Sequence, residues 1–234
     1  MANIPFATID MCNAYGILFA ALNLKKEEIQ NKKVIEVGSM NVNGSIRPLL
    51  ESYGPEQYVG VDIAVGPGVD VVCNADAERL LDIFQPNSFD VVISTEMLEH
   101  VRNWQKVVNN LKSLTAPDGL IFISTRSWGF PYHAYPHDFW RYETQDIQNI
   151  FSDCVVDKVE KDPEVGVFAK LRKPTNFKET DLSSYELYSI VTNKRAAQLD
   201  GVDLESFLRV QERRRRIRVL TAKINPMNWL ISNK

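Results

Sequence analysis

The sequence predicts an α/β domain built on a mainly parallel, seven-stranded sheet with helices on both faces, followed by a helical C-terminal extension. Three observations carry this expectation. Short β-branched runs alternate with longer mixed segments through the middle of the chain, as strand–helix–strand units do. The strand-like runs are apolar on consecutive residues, which suits strands covered on both faces. Beyond residue 174 the chain changes character and becomes arginine-rich.

Taken in order, Val34–Val37 reads as the first strand and residues 44–53 as the helix after it. Tyr58–Asp62 is the second strand, and Asp70–Cys73 a short third one followed by a helical Ala77–Phe84. Phe89–Ser94 is the fourth. Residues 101–114 place Val101, Trp104, Val107, Val108 and Leu111 at helical spacing. Ala116–Gly119 is a turn, through Pro117-Asp118-Gly119, into the fifth strand, Leu120–Ser124. Residues 125–142 concentrate aromatics, His and Pro and suit a functional loop. Thr144–Phe151 reads as a helix, and Val155–Glu160 and Val165–Leu171 as two closing strands. Residues 181–199 and 203–224 both read as helices, so the organisation expected is a domain over 1–174 and an extension over 175–234.

Composition narrows the function. With a formal net charge of −3, the chain has no global basic field, and nucleic acid is not an expected partner. Three widely spaced cysteines, Cys12, Cys73 and Cys154, form no metal-type spacing and no paired framework, which fits a reducing, cytoplasmic setting. The apolar stretch Tyr15–Leu22 follows no Lys or Arg and is too short to span a bilayer, so it is expected to pack on the core.

In open α/β sheets ligands bind beyond the C-terminal strand ends, at the switch in strand order. Glu36 lies near the end of the first strand, and Gly38-Ser39-Met40-Asn41-Val42-Asn43-Gly44 follows Val37. Gly38 is expected to let a ligand approach the backbone, and Gly44 to open the next helix. A dinucleotide site would place GxGxxG here to hold a pyrophosphate; a carboxylate at Glu36 repels that group and suits an amino-bearing ligand. Asp62, 24 residues after Gly38, stands where a carboxylate accepts from a ribose diol. After the third strand, Asp76 is placed to accept from an adenine amino group and the Ala77 N–H to meet a ring nitrogen; capping the next helix is the competing role for Asp76. After the fourth strand, Thr95-Glu96-Met97-Leu98-Glu99-His100 marks where donor and acceptor should meet.

The set Val34–Gly44, Gly60-Val61-Asp62, Asn74-Ala75-Asp76-Ala77, Phe89–His100 and Ala116–Leu120 resembles the class I S-adenosylmethionine-dependent methyltransferases over about residues 30 to 172. The resemblance implies a Rossmann-like fold and S-adenosylmethionine as cofactor. It also implies Glu36, Gly38, Ser39 and Gly44 near the methionine end, Asp62 on the ribose, Asp76 and Ala77 on the adenine, and Thr95 beside them. The loop departs from the GxGxG of many members.

A sulfonium is already a strong methyl donor, so an enzyme of this kind mainly aligns donor and acceptor and excludes water. A hydroxyl acceptor is helped by a base. All three histidines, His100, His133 and His137, fall at the expected acceptor end. His133, His137 and Asp138 are the expected catalytic or substrate contacts, with His100 beside them; its alternative is to pack beneath the cofactor. Tyr135, Trp140 and Arg141 are candidates to shape the pocket, and Trp140 equally to anchor the loop. His133, His137 and Asp138 are potential metal ligands, but no metal is expected. His-x-x-x-His-Asp-Phe-Trp-Arg is similar to methyltransferases often found with glycan-building enzymes, which implies O-methylation of a sugar, glycolipid or other small-molecule hydroxyl.

Six arginines lie within residues 209–218. They wrap around a helix and pair with Glu205 and Glu212, or they meet an anionic membrane face with Trp229, Leu230 and Ile231 dipping in, or the tail helices dimerise. Two other functions compete on the same fold: an NAD-dependent oxidoreductase, and a cofactor-binding scaffold whose tail recruits a partner.

Overall fold

The structure, a computed structural model, describes residues 14–42, 44–77, 79–133, 137–199 and 201–224. Its centre is a seven-stranded sheet of β1 (Lys33–Val37), β2 (Gln57–Asp62), β3 (Val71–Val72), β4 (Phe89–Thr95), β5 (Thr115–Arg126), β7 (Val155–Asp162) and β8 (Gly166–Arg172). The order is β3-β2-β1-β4-β5-β8-β7. The first five strands pair in parallel, and β8 pairs antiparallel with both β5 and β7. The chain reverses direction across the sheet between β1 and β4, so a crevice opens at their C-terminal ends.

Two apolar layers cover the sheet. On one face α1 (Ala14–Asn23), α2 (Lys26–Ile29) and α3 (Arg47–Glu51) bury Phe19, Ile29 and Leu50 against Val34, Val91, Ile93 and Phe122. Phe19 stacks on Phe168 at 4.8 Å between ring centroids, which seats the expected N-terminal apolar helix on the sheet. On the other face α4 (Arg79–Ile83), α5 (Trp104–Leu114) and α6 (Thr144–Ile150) lie against Ile35, Val92, Ile121 and Ala169. Trp104, Val107, Val108 and Leu111 of α5 are fully buried, as their spacing predicts.

Several elements differ from expectation. Helix α3 starts at Arg47 rather than 44, with Pro48 in its first turn, where a fixed φ and a missing N–H favour initiation. Helix α5 starts at Trp104, because Leu98–His100 form a separate 3-10 turn. Ala116–Gly119 does not precede the fifth strand but forms an excursion inside it. Thr115 pairs with Phe89 and Leu120 with Val91, and Asp118 takes φ 64°.

The largest correction concerns residues 181–199, expected as a helix. They carry two short strands, β9 (Leu187–Ser189) and β10 (Lys194–Ala196), which join β6 (Trp140–Arg141) in a three-stranded antiparallel sheet ordered β10-β9-β6. The β-branched run Ile190-Val191-Thr192 and Asn193 at φ 55° make a turn of the kind asparagine supports. Leu182, Leu187 and Leu199 lie in the same apolar cluster as α5 and α6. Helix α7 (Gly201–Ile224) does form, and Arg209 and Arg216 pair along it with Glu205 and Glu212 at 3.3 and 3.0 Å. Trp229, Leu230 and Ile231 lie outside the described residues, as do Tyr135 and Cys12. Cys73 and Cys154 form no disulfide among the described residues. No described helix is long and apolar enough to cross a membrane.

Candidate active site

A cavity of about 600 Å³ opens where β1, β2 and β4 end. It falls within the size range of small-molecule sites. Glu36, Gly38, Ser39, Gly44, Asp62, Asp76 and Thr95 line it, so seven of the eight residues expected at a cofactor converge there. Ala77 is the exception. Its N–H donates to the Asn74 carbonyl at 3.1 Å, closing the turn after β3, and it does not reach the cavity wall.

Glu36 is buried at the end of β1. The Tyr58 hydroxyl donates to its Oε2 at 2.7 Å and the Thr95 hydroxyl lies 3.4 Å from its Oε1. Burial pushes the Glu36 carboxyl up to about 7, against the pull of the Tyr58 and Thr95 hydrogen bonds and the Arg47 charge. An ammonium entering the cavity restores the stabilisation that lost water no longer provides. Ser39 is buried on the same wall, and its Oγ has no partner among the described residues. Asp62 accepts from the Met40 N–H at 3.1 Å through Oδ2 and from the Ile63 N–H at 2.7 Å through Oδ1. It thereby ties the glycine loop to β2, and each oxygen keeps a second lone pair for a diol.

Gly38 has a second reason beside the one expected. Its φ is 87°, and a Cβ there would lie 2.5 Å from Cβ and Cγ of Met97. The glycine admits the β4 loop as well as any ligand. Gly44 lies three residues ahead of α3, where its N–H donates to Asn41 Oδ1 at 3.0 Å, so it shapes the loop rather than opening the helix.

The other end of the cavity is walled by Met97, His100, Val101, Arg102, His137, Phe139 and Leu204. Of the four residues expected in catalysis, His100 and His137 are therefore in the wall, whereas His133 and Asp138 lie behind it. His100 donates from Nδ1 to the His137 carbonyl at 2.5 Å, and its ring meets that of His133 at 4.7 Å between centroids. His133 Nδ1 faces Asp138 Oδ2 at 2.9 Å, and its Nε2 faces Glu99 Oε1 at 3.6 Å. Burial would lower the His133 pKa, but Asp138 and Glu99 outweigh it and raise it to about 9.

Asp138 is fully buried and forked onto Arg141, with contacts of 2.5 and 2.8 Å. Burial alone would raise it; Arg141 and His133 hold it down to about 2. Arg141 also donates to the Phe130 and Pro131 carbonyls. Trp140 is buried, and its Nε1–H donates to the Val101 carbonyl at 3.0 Å. Trp140 and Arg141 thus anchor the loop instead of lining the pocket.

Glu96, Arg102 and Leu204 are among the wall residues that were not anticipated. Glu96, at φ 52°, accepts from the Ser124 hydroxyl at 2.7 Å and pairs with Arg126. Arg102 donates to the Leu199 carbonyl at 2.8 Å. Leu204 comes from α7, so the tail contributes to the cavity. For Glu96 the sequence offered its place just after β4 as a signal; for Leu204 it offered none.

Comparison with known proteins bears on the family and the fold. Residues 14–155, more than half of the chain, match the family described as "Methyltransferase domain". A ubiquinone biosynthesis O-methyltransferase of Neisseria meningitidis serogroup C is 28% identical over 110 residues, covering 42% of this chain and 45% of that protein. A chloroplastic tocopherol O-methyltransferase of Arabidopsis thaliana is 30% identical over 122 residues, 47% of this chain and 34% of that protein. The chain thus spans less than half the length of either curated relative. Among solved structures, the 1,6-didemethyltoxoflavin-N1-methyltransferase of Burkholderia thailandensis, with bound 1,6-didemethyltoxoflavin and S-adenosylhomocysteine, is similar at a TM-score of 0.53 and 15% identity. That match covers 69% of this chain and 76% of the other, and at this identity it is a likeness of fold.

Proposed function

The chain belongs to the methyltransferase domain family, a class of S-adenosylmethionine-dependent enzymes, and from that premise we propose that it methylates a hydroxyl oxygen of a small molecule, with a sugar or glycolipid headgroup as the acceptor class. The observation that carries this reading is the continuity of one cavity from Glu36 and Asp62 to His100 and His137. S-adenosylmethionine supplies a methyl group on a sulfonium sulfur. Glu36 draws the ammonium of its methionine end, Asp62 accepts from the ribose hydroxyls, and Asp76 accepts from the adenine amino group. A pyrophosphate cofactor would meet the Glu36 carboxylate at the same place, which counts against the oxidoreductase alternative.

At the acceptor end His137 is the group placed to hold a proton. Its Nδ1 is buried with no hydrogen-bond partner among the described residues. As the acceptor oxygen forms its new bond to carbon, its proton passes to the imidazole of His137, and the product is a methyl ether. Met97, Val101, Phe139 and Leu204 exclude water from that end and suit an acceptor with an apolar part. The two relatives named as O-methyltransferases favour oxygen as the nucleophile.

Calorimetric titration with S-adenosylhomocysteine tests the cofactor half, with NAD as control ligand and Asp62→Ala as control protein. Binding in the micromolar range, weakened about 100-fold by Asp62→Ala and absent for NAD, is expected, since two hydrogen bonds to a charged group are worth about 3 kcal/mol or more. Assay of a sugar, a glycolipid and a phenol then tests the acceptor half. His137→Gln should lower kcat by about 100-fold or more and leave S-adenosylhomocysteine binding unchanged. Unaltered turnover in that variant would remove His137 as the base.

A further inference from the structure

Behind the acceptor wall Glu99, His100 and His133 each bring one ligand-type atom to a common focus, all within 4.8 Å of one another. Glu99 Oε1 makes long ion-pair contacts, 3.8 Å to His100 Nε2 and 3.6 Å to His133 Nε2. Glu99 Oε1 and His100 Nε2 are buried with no hydrogen-bond partner among the described residues. Buried polar atoms that converge without partners are rare, and each asks for a reason.

The opposite edges of the same groups are occupied. His100 gives its Nδ1–H to the His137 carbonyl, which leaves the Nε2 lone pair directed inward. His133 presents Nδ1 to the Asp138 carboxylate at 2.9 Å, and Asp138 is held in turn by Arg141. Glu99 Oε2 accepts from the Thr125 hydroxyl at 2.9 Å, leaving Oε1 for another partner. Metal-ligating histidines have this arrangement: the second nitrogen is engaged by a carbonyl or carboxylate, which fixes the tautomer and raises basicity at the first.

We infer that Glu99, His100 and His133 form a binding site for a divalent first-row transition ion of the zinc class. Two imidazoles and one carboxylate are a donor set that such ions favour over calcium or magnesium. Zinc bonds of about 2.0–2.1 Å place neighbouring tetrahedral ligands about 3.3 Å apart, so the observed spacings close by a few tenths of an ångström up to about 1.5 Å through side-chain rotation. These three residues differ from the His133, His137 and Asp138 set that the sequence suggested: Asp138 serves behind His133, and His137 supports His100 through its carbonyl. The site does not depend on the acceptor class proposed above.

The test uses the full-length protein, stripped with chelator and titrated with Zn²⁺ by calorimetry and with Co²⁺ by visible spectroscopy. Expected are one ion per chain in the micromolar range or tighter, visible bands of four- or five-coordinate cobalt, and a loss of affinity of about 100-fold or more in His100→Gln and in Glu99→Gln. Asp62→Ala should bind Zn²⁺ like the parent while losing S-adenosylhomocysteine, which separates this site from the cofactor reading. Should the ligand variants fail to fold, X-ray absorption of the zinc-loaded parent decides: two imidazole ligands and no sulfur uphold the site, and any other ligand set overturns it. Absence of one-to-one binding by the parent, or equal binding by folded His100→Gln, likewise overturns it.

Discussion

Glu36 offers the sharpest quantitative test of the site. Its carboxyl is buried beneath Tyr58 and Thr95 and is pushed up to about 7 from an ordinary 4.5. A carboxyl whose folded pKa is raised holds its proton more tightly in the folded state. Its penalty is therefore absent below about 4.5, grows as pH rises, and is complete above about 7. The shift of about 2.5 units corresponds to about 3 kcal/mol at pH 8 and under about 1 kcal/mol at pH 5. Glu36→Gln keeps an acceptor for Tyr58 and removes the charge, so urea denaturation without cofactor should find it more stable by about 3 kcal/mol at pH 8 and nearly unchanged at pH 5. Comparing the two proteins at each pH cancels the other titrating groups. The same substitution should weaken S-adenosylhomocysteine binding, because the ammonium loses its counter-charge. In the parent protein that binding should weaken by up to tenfold per unit as pH falls below about 7, and in the variant it should lose this dependence. A stability gain equal at both pH values, or a loss at pH 8, would refute the view of Glu36 as a carboxylate held in reserve for a cation.

Two further perturbations probe the frame around the cavity. Gly38→Ala combines a left-handed φ of 87° with a Cβ 2.5 Å from the Met97 side chain, and should cost about 2 kcal/mol or more by urea denaturation. Met97→Ala in the same chain should recover only the contact part, since the backbone conformation remains. Arg141→Met leaves the Asp138 carboxylate buried without its guanidinium and should cost about 3–5 kcal/mol, with partial recovery when Asp138→Asn removes the stranded charge. No recovery in that double variant, also read by urea denaturation, would show that Arg141 acts through its carbonyl contacts and not through the pair.

The cofactor half was legible because each of its residues is fixed by local grammar. A buried strand, a glycine loop and an acidic strand end follow one another within a few residues, and their periodicity identifies both the element and its C-terminal tip. Ala77 misled because adjacency to Asp76 does not reveal where an N–H is directed; the Asn74 turn takes it. The hairpin over 187–196 misled because its strands are three residues long, and its pairing partner β6 is two residues that lie far back in the chain, Trp140 opposite Ser189 and Arg141 opposite Tyr188. Such short strands are set by tertiary pairing, to which a local pattern is blind. His133 and Asp138 lie behind the cavity wall rather than in it, since proximity in sequence cannot tell a wall residue from the one behind it.

That distinction has a consequence for how the two ends of the cavity vary. The cofactor end draws on β1, β2 and β4, whose positions are fixed by a continuous parallel sheet. The acceptor end joins the turn after β4, His137 and Phe139 ahead of β6 and Leu204 of α7, and buried charge ties its parts together. Asp138 holds Arg141 and His133, His100 is tied to the His137 carbonyl, and Trp140 fastens the loop to the chain at Val101. The β6–β9 pairing and the Arg102–Leu199 bond then bring the tail to the same place, where Leu204 completes the wall. A loop held by paired buried charges keeps its shape only while every partner is present. The residues of the acceptor wall, Met97, Val101, Phe139 and Leu204, carry no such obligation, so acceptor choice is free to change at those positions while Asp138, Arg141 and Trp140 preserve the frame.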